Sequence, residues 1–268
     1  MSAMAKIEPT DKIKAVKEGH LGWIIVNAPE TRNAMALSMW VAAGKALDDF
    51  AADVDIRVVI LRGGGDKTFI SGGDIADMHG RTTPESQQEA ERIRLDTGRK
   101  LRTIEKPTIA MVRGYCLGGG MGLALNCDLR ICSEGAKFGI PAAKLSRGYD
   151  AFGMRQLMDL VGPSAAKEVM MTARQYGAEE ALRLGMVNKV VPEAELESYT
   201  RSYAEVIAGN APLAIFNAKT AINELVKDPD DRDMELVARR AHAATHSQDH
   251  VEGRNAFLQK RKPVWTGR

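Results

Sequence analysis

The segment from Thr108 to Asp128 places three adjacent glycines between an apolar run and a helical pattern. The run Ile109–Val112 is short enough for a buried strand, and the triplet Gly118-Gly119-Gly120 lies a few residues further on. Glycine has no Cβ, so a ligand or another backbone can approach the main chain closely there. The first turn of the following helix leaves N–H groups without intrahelical partners and carries partial positive charge. The segment therefore predicts a site for a phosphate, a carboxylate or an oxyanion that forms during reaction.

Two common phosphate-binding glycine patterns do not fit this segment. The phosphate loop would continue with Gly-Lys-Ser/Thr, whereas Gly120 is followed by Met121 and Gly122. The dinucleotide fingerprint G-x-G-x-x-G would require glycine at Leu123. For this segment taken alone, a tight strand-to-helix turn with small residues for packing remains an open alternative.

A second segment, from Phe69 to Ile75, also follows a short apolar run and breaks on paired glycines, Gly72 and Gly73. Together with the first segment it resembles the enoyl-CoA hydratase/isomerase (crotonase) family. Further matching segments follow in the same order along nearly the whole chain: 27–34 (NAPETRNA), 127–129 (CDL), 138–141 (FGIP), 178–181 (AEEA) and 184–187 (LGMV). Several motifs at consistent spacings are more specific than either glycine loop.

Length and composition are those of an ordinary soluble globular protein. The 268 residues can bury one large core, with or without a small appendage, and 44% hydrophobic and 27% charged residues are ordinary values. A net charge of +2 excludes nucleic-acid binding through bulk electrostatics. The first residues lack the apolar run of a signal peptide, and no run approaches the ~18 apolar residues of a membrane span. Three cysteines without zinc spacing indicate reduced thiols, so we expect a cytoplasmic protein.

The periodicities predict an α/β fold. Two strands are expected around Glu18-Gly19, a helix over 38–53, and another helix from the Thr83-Pro84 cap to about Thr103. Beyond Pro192 the strand signal disappears, and helices are expected over 194–208, 212–226, 234–243 and 250–260. The resemblance implies a crotonase-type spiral of ββα units, with an acyl-CoA-binding core over 1–192 and a helical trimerisation region over 193–268. It also implies a homotrimer or a dimer of trimers.

The resemblance implies chemistry on an acyl-CoA thioester. The reactions of this family all place negative charge on the thioester oxygen, as an enolate or a tetrahedral adduct. By the motifs, the two backbone N–H groups that bind this oxygen belong to Gly73 and Gly119. Coenzyme A enters as part of the substrate, so no separate cofactor and no metal are expected.

The acid–base groups of a hydratase are missing from the positions where the resemblance expects them. Hydratases of this family use two glutamates, which correspond here to Gly122 and Ala142. Neither residue can move a proton, and hydration needs a group that accepts and donates one. We therefore expect a reaction that uses one carboxylate, such as a double-bond shift, a hydrolysis or a carbon–carbon cleavage. The alternative is a CoA-ester-binding protein without efficient turnover.

Asp150 is the candidate for that single carboxylate. An aspartate at this place is catalytic in some family members, including dienoyl-CoA isomerase and chlorobenzoyl-CoA dehalogenase. Asp is also a common N-cap, so Asp150 alternatively caps a helix that begins near Ala151. The neighbouring Tyr149 either binds an intermediate or packs against the core.

The expected contacts to coenzyme A are distributed over three segments. By the resemblance, adenine and pantetheine are held mostly by backbone groups of two segments, and a C-terminal helix contacts the nucleotide of a neighbouring subunit. The residues so implied are Arg32, Asn33, Ala34, Gly72, Asp74, Ile75, Phe257 and Lys260. A lysine near a phosphate is physically reasonable, but 260–262 (KRK) equally fits a solvated tail.

Overall fold

A computed structural model describes residues 10–149 and 151–267 of the chain. Its strands are β1 (Ile13–Glu18), β2 (Leu21–Val26), β3 (Val58–Gly63), β4 (Thr68–Ile70), β5 (Thr108–Val112), β6 (Tyr115–Leu117), β7 (Leu129–Ser133), β8 (Lys137–Gly139), β9 (Tyr176–Gly177) and β10 (Lys189–Val191). Its helices are α1 (Leu37–Ala52), α2 (Ile75–His79), α3 (Pro84–Thr103), α4 (Gly119–Asn126), α5 (Ala151–Thr172), α6 (Ala178–Arg183), α7 (Leu196–Ala208), α8 (Pro212–Leu225), α9 (Met234–Thr245) and α10 (Gln248–Leu258).

The strands form two sheets, and the repeating units contribute strands to both of them. The larger sheet has the order β1-β2-β3-β5-β7-β10, with an antiparallel β1–β2 pair and parallel pairs elsewhere. The smaller sheet has the order β4-β6-β8-β9. From β3 to β8, consecutive strands alternate between the sheets, and each pair leads to a helical segment: β3-β4 to α2 and α3, β5-β6 to α4, and β7-β8 to α5. This is the α/β arrangement of ββα units followed by C-terminal helices that the sequence predicted.

The inner strands of the larger sheet are buried on both faces, as expected for a mainly parallel sheet, whereas the edge strand β1 is largely exposed. On one face, Leu21, Ile60 and Ile109 pack against α7, whose Leu196 and Ala204 are fully buried. The opposite face of the same strands packs toward α1, α4 and the smaller sheet. Alternation along each strand thus supplies both halves of the core.

The predicted elements in the first part of the chain are confirmed within one or two residues. The Thr83 side chain accepts a hydrogen bond from Ser86 N at 3.2 Å, and Pro84 is the first residue of α3. Threonine at the cap followed by proline at the first helical position is a favoured start signal, which explains why the sequence located this end. The helix α2 was not predicted, because five residues are too few to establish a period.

The four predicted C-terminal helices are also present. The first of them, α7, packs against the larger sheet of its own chain. On α8, by contrast, the large apolar side chains of Ile222 and Leu225 are 62% and 52% exposed. The boundary between 1–192 and 193–268 stays a prediction.

The described residues contain no helix that is both long and apolar enough to span a membrane. The three cysteines are buried thiols in the core, in agreement with their interpretation as packing residues. Burial raises the pKa of Cys127 to about 12 and that of Cys132 to about 12. Since the thiolate is the reactive form, neither is suited to nucleophilic chemistry.

Candidate active site

Three neighbouring strands of the smaller sheet end at one edge and bring the key loops together. The strands β4, β6 and β8 are parallel to one another. Parallel neighbours have their carboxyl ends on the same side, so the segments that follow them meet. Gly73 follows β4, Gly119 follows β6, and Ala142 follows β8. The topology thus assembles residues that lie far apart in the sequence.

The two glycine loops approach each other through their backbones. A Cβ placed on Gly119 would lie 3.5 Å from Gly73 N, so the two N–H groups are close neighbours. Gly72 and Gly118 adopt φ values of +126° and +52°, which favour glycine. A Cβ on Gly120 would overlap the carbonyl oxygen of Ile70, so glycine lets α4 begin against β4. The triplet therefore serves close backbone approach, as its composition predicted.

Backbone hydrogen bonds fix the first loop on the segment before α1. Met35 N donates to Gly72 O at 2.8 Å, and Asp74 N donates to Met35 O at 3.0 Å. Ser71 N donates to Arg32 O at 3.2 Å. These bonds place the segment of Arg32, Asn33 and Ala34 beside the loop from Gly72 to Ile75. Contact of both segments with coenzyme A stays a prediction.

The buried side chain of Asn33 links three backbone segments beside the first glycine loop by hydrogen bonds. Its side chain is fully buried; Oδ1 accepts from Ala28 N at 2.9 Å, while Nδ2 donates to Gly64 O at 2.9 Å and to Thr68 O at 2.7 Å. Its φ of +56° is a conformation that asparagine tolerates better than most residues. The Asn33 side chain therefore has a structural role, which leaves only its backbone for a ligand.

The Asp74 and Asp128 side chains also fix loops. The Asp74 carboxylate accepts hydrogen bonds from Ala76 N and Asp77 N and caps α2. The Asp128 carboxylate accepts from Thr108 N at 2.7 Å and pairs with the Lys219 ammonium at 2.8 Å. Both carboxylates are thus engaged in holding the fold.

A cavity of about 530 Å³ opens beside the two glycine loops. This volume is within the usual range for small-molecule sites. The cavity is lined by Gly73 and Gly119 on one side and by Gly122, Ala142 and Tyr149 on another. Asp150, the candidate carboxylate, lies outside the described residues.

The Tyr149 hydroxyl lies next to the first of the two positions where glutamate is expected. A Cβ placed on Gly122 would be 3.4 Å from Tyr149 Oη, which is ordinary contact. The other position, Ala142, is buried and contributes one methyl group to the cavity wall. This wall therefore carries a phenol, a hydrogen and a methyl group.

Charged side chains at the cavity were missed by the sequence reasoning. Arg81 pairs with Asp77 and Arg94 pairs with Glu91, and all four residues line the cavity. These residues are on or between α2 and α3, whose path across the cavity no local pattern revealed. The only signal was the polar character of the segment after Asp74.

Two buried amides deeper in the cavity were missed as well. Asn126 Nδ2 donates to Gly122 O at 2.9 Å, and Gln156 Nε2 donates to Asn126 Oδ1 at 2.7 Å. Helical spacing puts Asn126 one turn after Gly122, so the sequence did contain a signal for this residue. Gln156 comes from α5, and its position follows only from the tertiary fold.

Two predicted coenzyme A contacts lie away from this cavity within one chain. Phe257 is 84% exposed near the end of α10, and Lys260 is exposed just beyond that helix. Phe257 instead lines a second cavity, of about 360 Å³, together with Trp265. A role for both residues in the neighbouring subunit's site stays a prediction.

The histidines of the C-terminal helices do not form a ligand cluster in the described residues. The rings of His242 and His246 stack at 3.8 Å between centroids, and His246 Nδ1 lies 2.9 Å from His242 O. Within 10–149 and 151–267, no group of three His, Cys, Asp or Glu side chains is arranged to hold a metal ion.

Comparisons with known proteins agree over nearly the whole chain. The family model for enoyl-CoA hydratase/isomerase matches residues 17–268. The short-chain-enoyl-CoA hydratase of Clostridium acetobutylicum is 34% identical over 246 residues, which cover 92% of this chain and 94% of that protein. The carnitinyl-CoA dehydratase of Salmonella enteritidis is 34% identical over 267 residues, which cover 97% of this chain and 100% of that protein.

A solved structure shows the same fold. The structure of an enoyl-CoA hydratase/carnithine racemase from Magnetospirillum magneticum superposes with a TM-score of 0.91 at 33% identity, and covers 98% of each chain. The order of the motifs, the ββα architecture and these matches lead to one conclusion. The chain belongs to the enoyl-CoA hydratase/isomerase family of acyl-CoA enzymes.

Proposed function

We propose that this protein stabilises an enolate or oxyanion of an acyl-CoA thioester with the N–H groups of Gly73 and Gly119. The observation that carries the proposal is the meeting of these two backbone donors at one side of the cavity, where a Cβ on Gly119 would be 3.5 Å from Gly73 N. Donors held in place before reaction stabilise charge where it develops, without reorganisation. Both loops are fixed by their own strands and hydrogen bonds, so the donors are preorganised.

We propose further that the reaction uses one carboxylate, Asp150, rather than two glutamates. Gly122 and Ala142 offer no titratable group at the cavity wall. A double-bond shift, a hydrolysis and a carbon–carbon cleavage can each proceed with one general acid–base group, whereas the resemblance assigns two glutamates to hydration. The relatives described above are named for hydration and dehydration, which is the reaction that this proposal expects to be slow here.

The test is a panel of acyl-CoA thioesters assayed with the native protein and with Asp150→Asn. We expect slow hydration of crotonyl-CoA compared with a glutamate-bearing family member. For the substrate that does react, Asp150→Asn should reduce kcat by about 10²–10⁴-fold, which is the usual contribution of a general base. Circular dichroism of both proteins checks that the substitution leaves the fold intact.

Three other outcomes have distinct meanings. A rate for Asp150→Asn within about twofold of native would leave the aspartate as a helix cap only. Binding of CoA esters without turnover of any panel member would favour the alternative, a CoA-ester-binding protein. Fast crotonyl-CoA hydration by the native protein would contradict the one-carboxylate mechanism.

We also propose that the functional unit is a homotrimer or a dimer of trimers, located in the cytoplasm. Ile222 and Leu225 on α8 and Met154 and Met158 on α5 are large apolar side chains that a single chain leaves 38–62% exposed. Apolar patches of this kind are commonly covered by another subunit. In such an assembly, Phe257 and Lys260 of one chain would contact the nucleotide of coenzyme A in the next. Light scattering should give three or six times 29.2 kDa, and a stable monomer would contradict the proposal.

A further inference from the structure

The C-terminal end of α4 lies in the protein core and is held there by a buried arginine. Arg130, the second residue of β7, is only 3% exposed. Its guanidinium donates hydrogen bonds to the carbonyl oxygens of Ala124 at 3.1 Å and of Cys127 at 2.7 Å. The first carbonyl belongs to the last turn of α4, and the second belongs to the residue that caps the helix. Carbonyl groups at a helix end have no partner within the helix, so Arg130 supplies one.

The same guanidinium joins α4 to the segment that precedes β10. Arg130 Nε donates to Met186 O at 2.8 Å, and Arg130 Nη2 donates to Asp128 O at 3.3 Å. The main chain of Arg130 is paired with Asn188, since Arg130 N donates to Asn188 Oδ1 at 2.8 Å and Asn188 N donates to Arg130 O at 2.9 Å. Arg130 therefore fixes the end of α4 relative to β7 and the start of β10.

Within the part of the chain that the structure describes, no carboxylate shares a hydrogen bond with this buried charge. Every hydrogen bond that the guanidinium donates there ends on a main-chain carbonyl oxygen. The titratable side chains around it are Cys116, Cys127 and Asp128. Burial raises the pKa of both thiols, so they stay neutral, and the Asp128 carboxylate is paired with Lys219. Arg130 thus leaves a net positive charge at the negative pole of α4.

The opposite end of α4 carries one of the two donors of the proposed function. Gly119 is the first residue of α4 and lines the cavity. A helix of eight residues is about 12 Å long, and the partial positive charge at its start stabilises an anion there. The partial negative charge at its end opposes that effect, and a cation placed on this end cancels the opposition. Over such a distance inside a protein, one full charge changes an ionisation equilibrium by about three- to tenfold.

We infer that Arg130 is a positioning residue for the oxyanion site and acts on this site through α4. Its hydrogen bonds fix the helix, and its charge makes the electrostatic potential at the Gly119 end more positive, where the negative charge of the reaction develops. This role rests on the proposed function, because the thioester oxygen must lie at Gly73 and Gly119. Arg130 itself is not among the residues that line the cavity.

A second buried cation in the same chain provides a matched control. Lys106 is 6% exposed, and its ammonium donates to the carbonyl oxygens of Phe50 and Asp53 at the end of α1. It therefore caps a helix as Arg130 does. However, α1 has sixteen residues, so Lys106 lies about twice as far along its helix from the cavity. The Asp49 and Asp53 carboxylates also offset its charge.

The test uses acetoacetyl-CoA as a probe, because its ionisation can be followed by ultraviolet absorbance. The proton leaves C2 for solvent, and the electron pair of that C–H bond moves onto the two carbonyl oxygens, so the thioester oxygen gains negative charge. A positive site lowers the pKa of the bound probe, and a spectrophotometric pH titration of the saturated complex measures it.

The proteins compared are the native chain, Arg130→Gln, Arg130→Lys and Lys106→Met. Glutamine removes the charge but keeps two N–H donors, whereas lysine keeps the charge without the planar fork. Melting temperatures and the dissociation constant of butyryl-CoA are measured for each protein, because butyryl-CoA binds as a thioester without forming a stabilised enolate.

We expect the ionisation constant of the bound probe to be about three- to tenfold smaller in Arg130→Gln than in the native protein. It should stay within about 1.5-fold of native in Arg130→Lys and in Lys106→Met. All three variants should melt at a lower temperature, since each loses hydrogen bonds to buried carbonyl groups. The butyryl-CoA dissociation constant should stay within about twofold of native throughout.

Asn188→Asp carries the test if Arg130→Gln does not fold. The Asn188 side chain is exposed, and aspartate keeps the acceptor for Arg130 N while it adds a negative charge beside Arg130. The ionisation constant of the probe should then fall by about twofold at low ionic strength, because solvent screens an exposed charge.

Three results would overturn the inference. A native ionisation constant in Arg130→Gln, or in Asn188→Asp where that variant is used, would leave Arg130 as a structural cap of α4. An equal loss in Lys106→Met would mean that the constant follows general stability. A loss in Arg130→Lys as large as in Arg130→Gln would mean that the charge does not act on the site.

Failure of the proposed function would look different, because it would be seen in the native protein. If the native chain does not bind the probe, or binds it without lowering its pKa, the oxyanion site itself is wrong, and the role of Arg130 falls with it.

Discussion

The glycine-loop side of the cavity (Gly73 and Gly119) and the α4–α5 side (Gly122, Ala142 and Tyr149) present different kinds of chemical group, although both include a residue of α4. On the first side the groups that face a ligand are backbone N–H groups, held by strand ends and by hydrogen bonds to Met35 and Arg32. On the second side they are side chains, and the resemblance places the two hydratase glutamates here, at Gly122 and Ala142. The proposed function therefore assigns charge stabilisation and proton transfer to different sides of the cavity, so that one can change while the other stays.

The variant Gly119→Ala tests the proposed oxyanion site on the glycine-loop side of the cavity. The new Cβ would lie 3.5 Å from Gly73 N and so would occupy the space where the thioester oxygen is expected. We expect kcat for the identified substrate to fall by about 10²–10³-fold, as for loss of one oxyanion-hole donor. Gly135→Ala, which introduces the same methyl group away from the cavity, should retain native kcat. An unchanged kcat in Gly119→Ala would refute the assignment of the oxyanion site.

Asn33→Leu tests how the glycine-loop side is supported. Leucine has a similar volume but leaves Ala28 N, Gly64 O and Thr68 O without their buried partners. We expect the free energy of unfolding to fall by about 2–4 kcal/mol, measured by urea denaturation. Asn33→Asp keeps the acceptor for Ala28 N and loses the donors. It should also destabilise, so native stability in both variants would show that the network is dispensable.

Placing glutamate at positions 122 and 142 tests the role of the α4–α5 side of the cavity. In the double variant Gly122→Glu/Ala142→Glu, the oxyanion donors are untouched and two titratable groups return to the wall. We expect crotonyl-CoA hydration to rise at least about tenfold over the native rate, since a positioned general base contributes ~10²–10⁴-fold in full geometry. Each single variant should give a smaller increase, because the two groups hold one water together. No increase in the double variant would mean that these positions do not face the carbon atom to which water adds.

The sequence predicted the glycine-loop side better than the α4–α5 side for a physical reason. Glycines at Gly72 and Gly118 are required by local backbone geometry, and such a requirement is visible in the residue type itself. The Thr83-Pro84 start of α3 was predicted for the same reason. Local geometry therefore accounts for the predicted turns and helix ends, whereas the arrangement into ββα units came from the family resemblance.

The other side depends on contacts between residues far apart in the chain. Gln156 reaches Asn126 from thirty positions away, and Arg81 and Arg94 join the cavity through the path of α2 and α3. The packing of α7 on the larger sheet is a further contact of this kind. No periodicity within a single element encodes such contacts.

The parallel pairing of β4 with β6 has a consequence for how this protein can acquire new reactions. Neighbouring strands are held about 4.8 Å apart by their hydrogen-bond ladder, which sets the separation of the loops that follow. A main-chain N–H is present whatever residue the gene encodes, proline excepted. Random mutation therefore has few ways to delete the donors and many ways to alter the wall that includes Tyr149. A directed-evolution library should vary the side chains of that wall and leave the glycines unchanged, because each library member would then keep the same arrangement of the two backbone N–H groups proposed to bind the thioester.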